Sequence, residues 1–154
     1  MIQRVQSIYL FLASFFYFTY WFFGCSWYEQ GFVFLKDKLF SSSDLINVLL
    51  QVTALIPLII SIISLIAIFF FKNRSMQIKL TSLSFYLSLF MLIYSMFYFS
   101  IVLFDLINLL DSTLLEILLY AAILNPFICC FLLYAARKKM KQDEDLINSI
   151  NRLR

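Results

Sequence analysis

The chain has no histidine, two glycines, two prolines and three cysteines in 154 residues, and only 14% of it is charged. Each shortage excludes a chemistry. Without histidine there is no imidazole to ligate a metal or haem, to serve a Ser-His-Asp triad, or to titrate near neutral pH. Two glycines leave no room for a glycine-rich phosphate loop. Cys129 and Cys130 are adjacent in an apolar run, where a bond between them would strain the backbone, and Cys25 stands alone. The adjacent pair reads as small apolar packing residues. The expectation is therefore a protein that is not an enzyme and has no cofactor, no metal and no nucleic-acid partner.

What is abundant is apolar surface. The chain is 63% hydrophobic, against roughly 45–50% in soluble domains, and its mean hydropathy is +0.90. Lipid must be the solvent for most of it. Four blocks predict transmembrane helices, over residues 5–23, 45–71, 80–104 and 114–136. The last is the clearest. Leu114–Ala136 at ~1.5 Å of rise per residue spans the roughly 30 Å of a hydrocarbon core, and Arg137-Lys138-Lys139-Met140-Lys141 closes it.

The first block, Ile8–Phe23, leads into the aromatic cluster Tyr20, Trp21, Trp27 and Tyr28. Amphipathic rings of this kind favour the headgroup level. A cleaved signal peptide is the lesser reading, because the apolar stretch exceeds the usual 7–15 residues and no small-x-small site follows. Phe23-Gly24-Cys25 is only a faint lipoprotein pattern. Residues 24–43 read as the one substantial loop, carrying Glu29, Lys36, Asp37 and Lys38 around Phe32-Val33-Phe34-Leu35.

Ser41 with Asp44 resembles a capping box opening the second helix, and Thr113 with Glu116 repeats it at the fourth. At that position Glu116 is a cap before it is a buried functional acid. Pro57 disturbs the carbonyl of Thr53 in the second block, and Asn125-Pro126 lies near the middle of the fourth. Thr53, Pro57, Asn125 and Pro126 are therefore the candidate kink and polar bundle contacts. An asparagine at that depth needs a partner, and a kink held by an interhelical hydrogen bond outweighs a hinge or substrate contact. Ser84, Ser88 and Ser95 form a candidate helix-packing face in the third block.

Residues 142–154 are expected to form a short amphipathic helix separate from the membrane domain of residues 1–141. Leu146, Ile147, Ile150 and Leu153 make its apolar stripe, with Arg152 and Arg154 at its end. Such a helix is too short to be stable alone and should dock on something. Asp-Leu-Ile-Asn occurs at Asp44, Asp105 and Asp145 in unlike contexts, so it is a product of biased composition rather than a repeat.

On a four-helix reading, one side carries Arg4, Lys72, Arg74, Lys79, Arg137, Lys138, Lys139, Lys141, Arg152 and Arg154. The other carries Lys36 and Lys38. That asymmetry predicts cytoplasmic N- and C-termini. The expected fold class is an all-α membrane protein, a bundle of four transmembrane helices with a cytoplasmic tail helix.

The opening Met1-Ile2-Gln3-Arg4-Val5-Gln6-Ser7-Ile8-Tyr9-Leu10 and the closing Asp143–Arg154 segment, ending Arg152-Leu153-Arg154, resemble the two ends of a family. It is the family of small four-helix integral membrane proteins of unknown function found in Bacteroidota. The resemblance implies an inner-membrane location and a preserved cytoplasmic tail, and it carries no activity.

Three functions compete. The expected one is a non-catalytic subunit or accessory of a larger bacterial inner-membrane assembly, whose partners are the lipid bilayer and other integral membrane proteins. The alternative is a small oligomeric transporter or channel lined by Asn125-Pro126, Pro57 with Thr53, and the serine face. A membrane enzyme ranks last, since a disulfide-forming oxidase would need cysteines at two-residue spacing on the outer side.

Overall fold

Three of the four helices outrun the apolar blocks that announce them. The structure is a computed structural model. It describes the backbone of residues 3–39, 44–108 and 113–152, and the side chains within 5–24, 33, 53–108, 113–146 and 149. Helix α1 runs Gln3–Leu39, α2 Asp44–Phe69, α3 Arg74–Asn108 and α4 Thr113–Arg152. All four are long and apolar enough to cross a membrane, with spans at Val5–Gly24, Thr53–Lys72, Arg74–Asn108 and Thr113–Leu146.

Two expectations are corrected here. The loop expected over residues 24–43 is helical as far as Leu39, as the continuation of α1. Its charges mark where the chain leaves the apolar span, but Glu, Lys and Gln are good helix formers. Only the two glycines weigh against it, at about 1 kcal/mol each. The tail is not a separate amphipathic helix, because α4 continues unbroken from Thr113 to Arg152. Nothing between residues 137 and 152 is a glycine or proline, so nothing stops the helix when the apolar run ends.

Both prolines lie inside helices that run on through them, Pro57 in α2 and Pro126 in α4. Thr113 is the first residue of α4 rather than the residue before it, and Glu116 lies in the first turn. Ser41 lies outside the described residues.

Helices α2 and α3 are joined by one 3-10 turn, Phe70–Lys72, and by Asn73. The Asn73 N–H donates to the Phe70 carbonyl at 3.0 Å. Its side-chain oxygen accepts from the Met76 N–H at 3.3 Å, and its carbonyl from the Gln77 N–H at 3.0 Å. Asn73 thus caps the helix it opens. So short a connection makes α2 and α3 antiparallel neighbours.

Around the bundle the order is α1-α2-α3-α4, each packing on the next and α4 closing on α1. Helices α1 and α3 also meet across the centre, whereas α2 and α4 do not touch among the described residues. Residues from the start of α1, the start of α3 and the end of α4 bond one another, so these three ends lie together. This end carries Lys72, Arg74, Lys79 and Arg137–Lys141, and is called the basic end below.

The inward positions follow a seven-residue repeat in every helix. On α3 they are Gln77, Thr81, Ser84, Ser88, Met91, Ser95, Tyr98 and Val102, all buried. On α1 the repeat runs Gln6, Leu10, Ala13, Tyr17 and Tyr20, and on α2 Pro57, Ile60, Ser64 and Ala67. On α4 it takes in Leu119, Pro126, Cys129, Leu133, Ala136 and Met140. A spacing of 3.5 residues per turn keeps one seam facing its neighbours only if the helices coil left-handedly about each other.

The interior mixes large apolar side chains such as Leu10, Met91 and Leu133 with buried small polar ones such as Ser14, Ser61, Ser84 and Ser88, while Phe11, Phe15, Phe90, Ile93, Phe97 and Phe131 point out. Lipid solvates the large residues as well as a core would, so close packing of small residues holds the helices together.

Candidate functional site in the polar interior

The polar side chains that meet between helices form three groups, from the basic end to the middle of the bundle. At the basic end, Asp143 ties three helices. One carboxylate oxygen, Oδ2, accepts from Gln6 Nε2 of α1 and from Arg74 Nη2 of α3, the latter at 2.8 Å. The ion pair is only partly exposed, 24% for the Arg74 side chain and 13% for Asp143. One turn deeper, the Thr81 hydroxyl donates to the Gln77 carbonyl at 2.9 Å and lies 3.5 Å from Met140 Sδ.

Midway along, α1 meets α2 through a reciprocal serine pair. The Ser14 and Ser61 hydroxyls are 3.0 Å apart, and each lies 3.0 Å from the other residue's backbone carbonyl. Both are buried. Only small residues permit two backbones so close.

At a similar depth α1 meets α4 through Asn125, whose Nδ2 donates to the Phe16 carbonyl at 3.1 Å. The Asn125 Oδ1 accepts from the Cys129 thiol at 3.0 Å, and that sulfur is also 3.9 Å from the Ala13 carbonyl. Beside this contact a groove of about 340 Å³ opens between α1 and α4, lined by Thr19, Tyr20, Phe22, Ala121, Ala122 and Asn125 among others.

The serines of α3 behave differently. Ser88 donates to the Phe85 carbonyl at 2.7 Å and Ser95 to the Leu92 carbonyl at 2.9 Å, both on their own helix. The Ser84 hydroxyl is buried with no hydrogen-bond partner. These three contribute small size rather than interhelical bonds. Replacing Ser88 or Ser95 by Ala is therefore expected to change stability by under about 0.5 kcal/mol, because it removes a local back-bond and keeps the volume small. Unfolding in mixed micelles checks this, and a loss above about 1.5 kcal/mol would show a bond across the bundle.

The sequence's candidate residues are not gathered into one place. Pro57 is buried and Thr53 half-buried on α2, where Thr53 meets Tyr94 of α3. Asn125 and Pro126 lie on α4, which does not touch α2 among the described residues. Lys72, Lys79, Lys138 and Lys141 are exposed, while Arg74, Arg137 and Lys139 are half-buried. Leu146 is exposed on α4. The side chains of Arg4, Cys25, Trp27, Tyr28, Ile147, Ile150, Arg152, Leu153 and Arg154 lie outside the described residues. Among the described residues no group of three metal-ligating side chains occurs.

Sequence reasoning missed Gln6, Ser14, Gln77, Thr81 and the role of Asp143. A signal for some of them existed. Gln77 and Thr81 extend the serine stripe backwards at the same spacing, Thr81 just inside the apolar block and Gln77 just before it.

Four helices each able to cross a bilayer, with a polar stripe buried between them and Phe and Ile side chains exposed around them, define a multi-pass membrane protein. The chain belongs to the family described as Domain of unknown function (DUF4293), which matches residues 2–153. No curated protein and no solved structure matches it.

Proposed function

We propose that the chain is a non-catalytic subunit or accessory protein of a larger bacterial inner-membrane assembly. In this reading the basic end and both termini face the cytoplasm. The excess of Lys and Arg at one end supports that orientation, and the resemblance of the chain's two ends to Bacteroidota membrane proteins supports the inner membrane.

The observation that carries the reading is where the deep polar groups direct their bonds. Ser14 and Ser61 bond each other between α1 and α2, Asn125 bonds the α1 backbone, and Ser88 and Ser95 bond their own helix. The first three hold helices together, and none of the five waits for a substrate. Docking runs through the outward apolar faces and the end of α4, which extends nine residues, or ~13 Å of helix, beyond Asp143. Leu146 is exposed on that extension.

Gentle detergent extraction of the tagged chain from native membranes, followed by mass spectrometry, tests this. A stoichiometric set of other membrane proteins is expected. A lone, uniform homo-oligomer would overturn it. Truncation after Lys141 would also remove Asp143 and loosen the bundle, so Leu146→Asp is the cleaner variant. It should leave insertion intact and release the partners.

The second reading, a small oligomeric transporter or channel, is favoured by one observation. Asn125 and Thr19 place polar groups on the wall of the groove between α1 and α4.

A further inference from the structure

Most cations of the basic end have no internal counter-charge. Among the described residues the ion pair is Arg74 with Asp143. Arg137 is different from the exposed lysines because it is held in place. Its guanidinium carbon lies 5.3 Å from the Phe85 ring centroid and 4.9 Å from that of Tyr86. Its Nη2 donates to the Tyr86 hydroxyl at 3.0 Å, and its Nε is buried with no acceptor. A guanidinium immobilised on aromatic faces is oriented and partly stripped of water, yet no carboxylate among the described residues lies within 4 Å of it. The described residues offer it no anion.

Depth selects the anion. Arg137 follows directly on the apolar run Leu114–Ala136, which is long enough to cross the hydrocarbon. It therefore sits at the headgroup level, where Tyr86 and Tyr134 are also exposed. Lys141 is one turn further on the same side of α4, and Lys79 is two turns before Tyr86 on the same stripe of α3. Both lysines are exposed. Towards the membrane the seam continues into exposed Phe90 and Phe131, an apolar track for an acyl chain. Of the tail acids, Asp143 is held by Arg74 and Gln6, and Glu144 and Asp145 lie further beyond Lys141, away from the apolar run.

We propose that the α3–α4 seam at the basic end binds the phosphate of one anionic phospholipid, with Arg137 as the principal donor and Lys79 and Lys141 flanking it. Guanidinium matches phosphate with directional, charge-assisted bonds, and each cation near an anionic surface adds attraction. This holds whether the protein is a subunit or a transporter, since it concerns the lipid around the bundle.

The test is a lipid titration of the purified, delipidated full chain by native mass spectrometry, with phosphatidylglycerol, phosphatidylcholine and inorganic phosphate as probes. Expected is one saturable phosphatidylglycerol, held at least about fivefold tighter than phosphatidylcholine. R137Q should weaken it about tenfold, and K79Q with K141Q together by a similar factor. K139Q should leave it within about twofold, because Lys139 faces α1, its Nζ 5.1 Å from the Tyr9 ring. The double lysine variant leaves the Arg137 stack untouched and decides the matter if R137Q fails to fold. The proposal is overturned if phosphatidylcholine binds as tightly, if K139Q weakens binding as much as R137Q, or if the double lysine variant changes nothing. It is overturned equally if inorganic phosphate displaces the lipid at matched concentration, which would make this a free-phosphate site.

Discussion

Replacing Asp143 by Leu is expected to destabilise the bundle by about 2–3 kcal/mol. The estimate lies between the near-zero value of an exposed ion pair and the 3–5 kcal/mol of breaking a buried one. The loss has two parts. Arg74 keeps its charge in a mostly covered site, and the buried Gln6 amide loses its acceptor. The three helix ends joined at this carboxylate should then separate more easily than the middle of the bundle. Because the penalty comes from the orphaned charge, Arg74→Met combined with Asp143→Leu should recover more than half of it. Reversible unfolding in mixed micelles over the full double-mutant cycle measures this. Additive losses in the double variant would show that the two residues do not act as a pair.

Ser14→Leu is expected to be the most damaging single change in the membrane interior, at about 3 kcal/mol. Two hydroxyls 3.0 Å apart, each also 3.0 Å from the opposite carbonyl, leave no space for a branched chain between α1 and α2. Ser14→Ala keeps the close approach and removes only the hydrogen bonds, so it should cost about 0.6–1 kcal/mol. The contrast separates packing from bonding. Equal losses for Ala and Leu would mean that the hydrogen bonds, not the fit, hold these helices.

The four crossings were legible because hydropathy reports which solvent a segment prefers, and α1 to α4 prefer lipid over spans of 20 residues or more. The same signal misled at both ends of the chain. Glu29, Lys36, Asp37 and Lys38 read as a loop, and Gln142–Arg154 as a detached tail, yet a change of solvent does not end a helix without a breaker.

Within the bundle, the need of Asn125 for a partner was legible from its depth, while the identity of that partner, the Phe16 carbonyl, was not. Gln6 and Asp143 are separated by 137 residues and Ser14 and Ser61 by 47, and neither pairing leaves a local pattern. The seven-residue repeat of α3 was partly visible in Ser84, Ser88 and Ser95. It was hidden elsewhere because both faces of each helix are apolar, so burial is written in size and polarity rather than in hydrophobicity.

The central claim is that the polar stripe is a dry packing seam, and spin-label accessibility along α3 tests it most directly. Single labels from position 84 to 97, in a cysteine-free background in lipid, would be read against oxygen, which dissolves in lipid, and a water-soluble nickel chelate. The account predicts a 3.5-residue period. Positions 84, 88, 91 and 95 should be shielded from both relaxers, 90, 93 and 97 reached by oxygen alone, and 86, at the headgroup level, reached by the chelate as well. Strong nickel access at 84, 88 and 95 would contradict it, replace the seam by a water-filled path, and turn the functional reading towards transport.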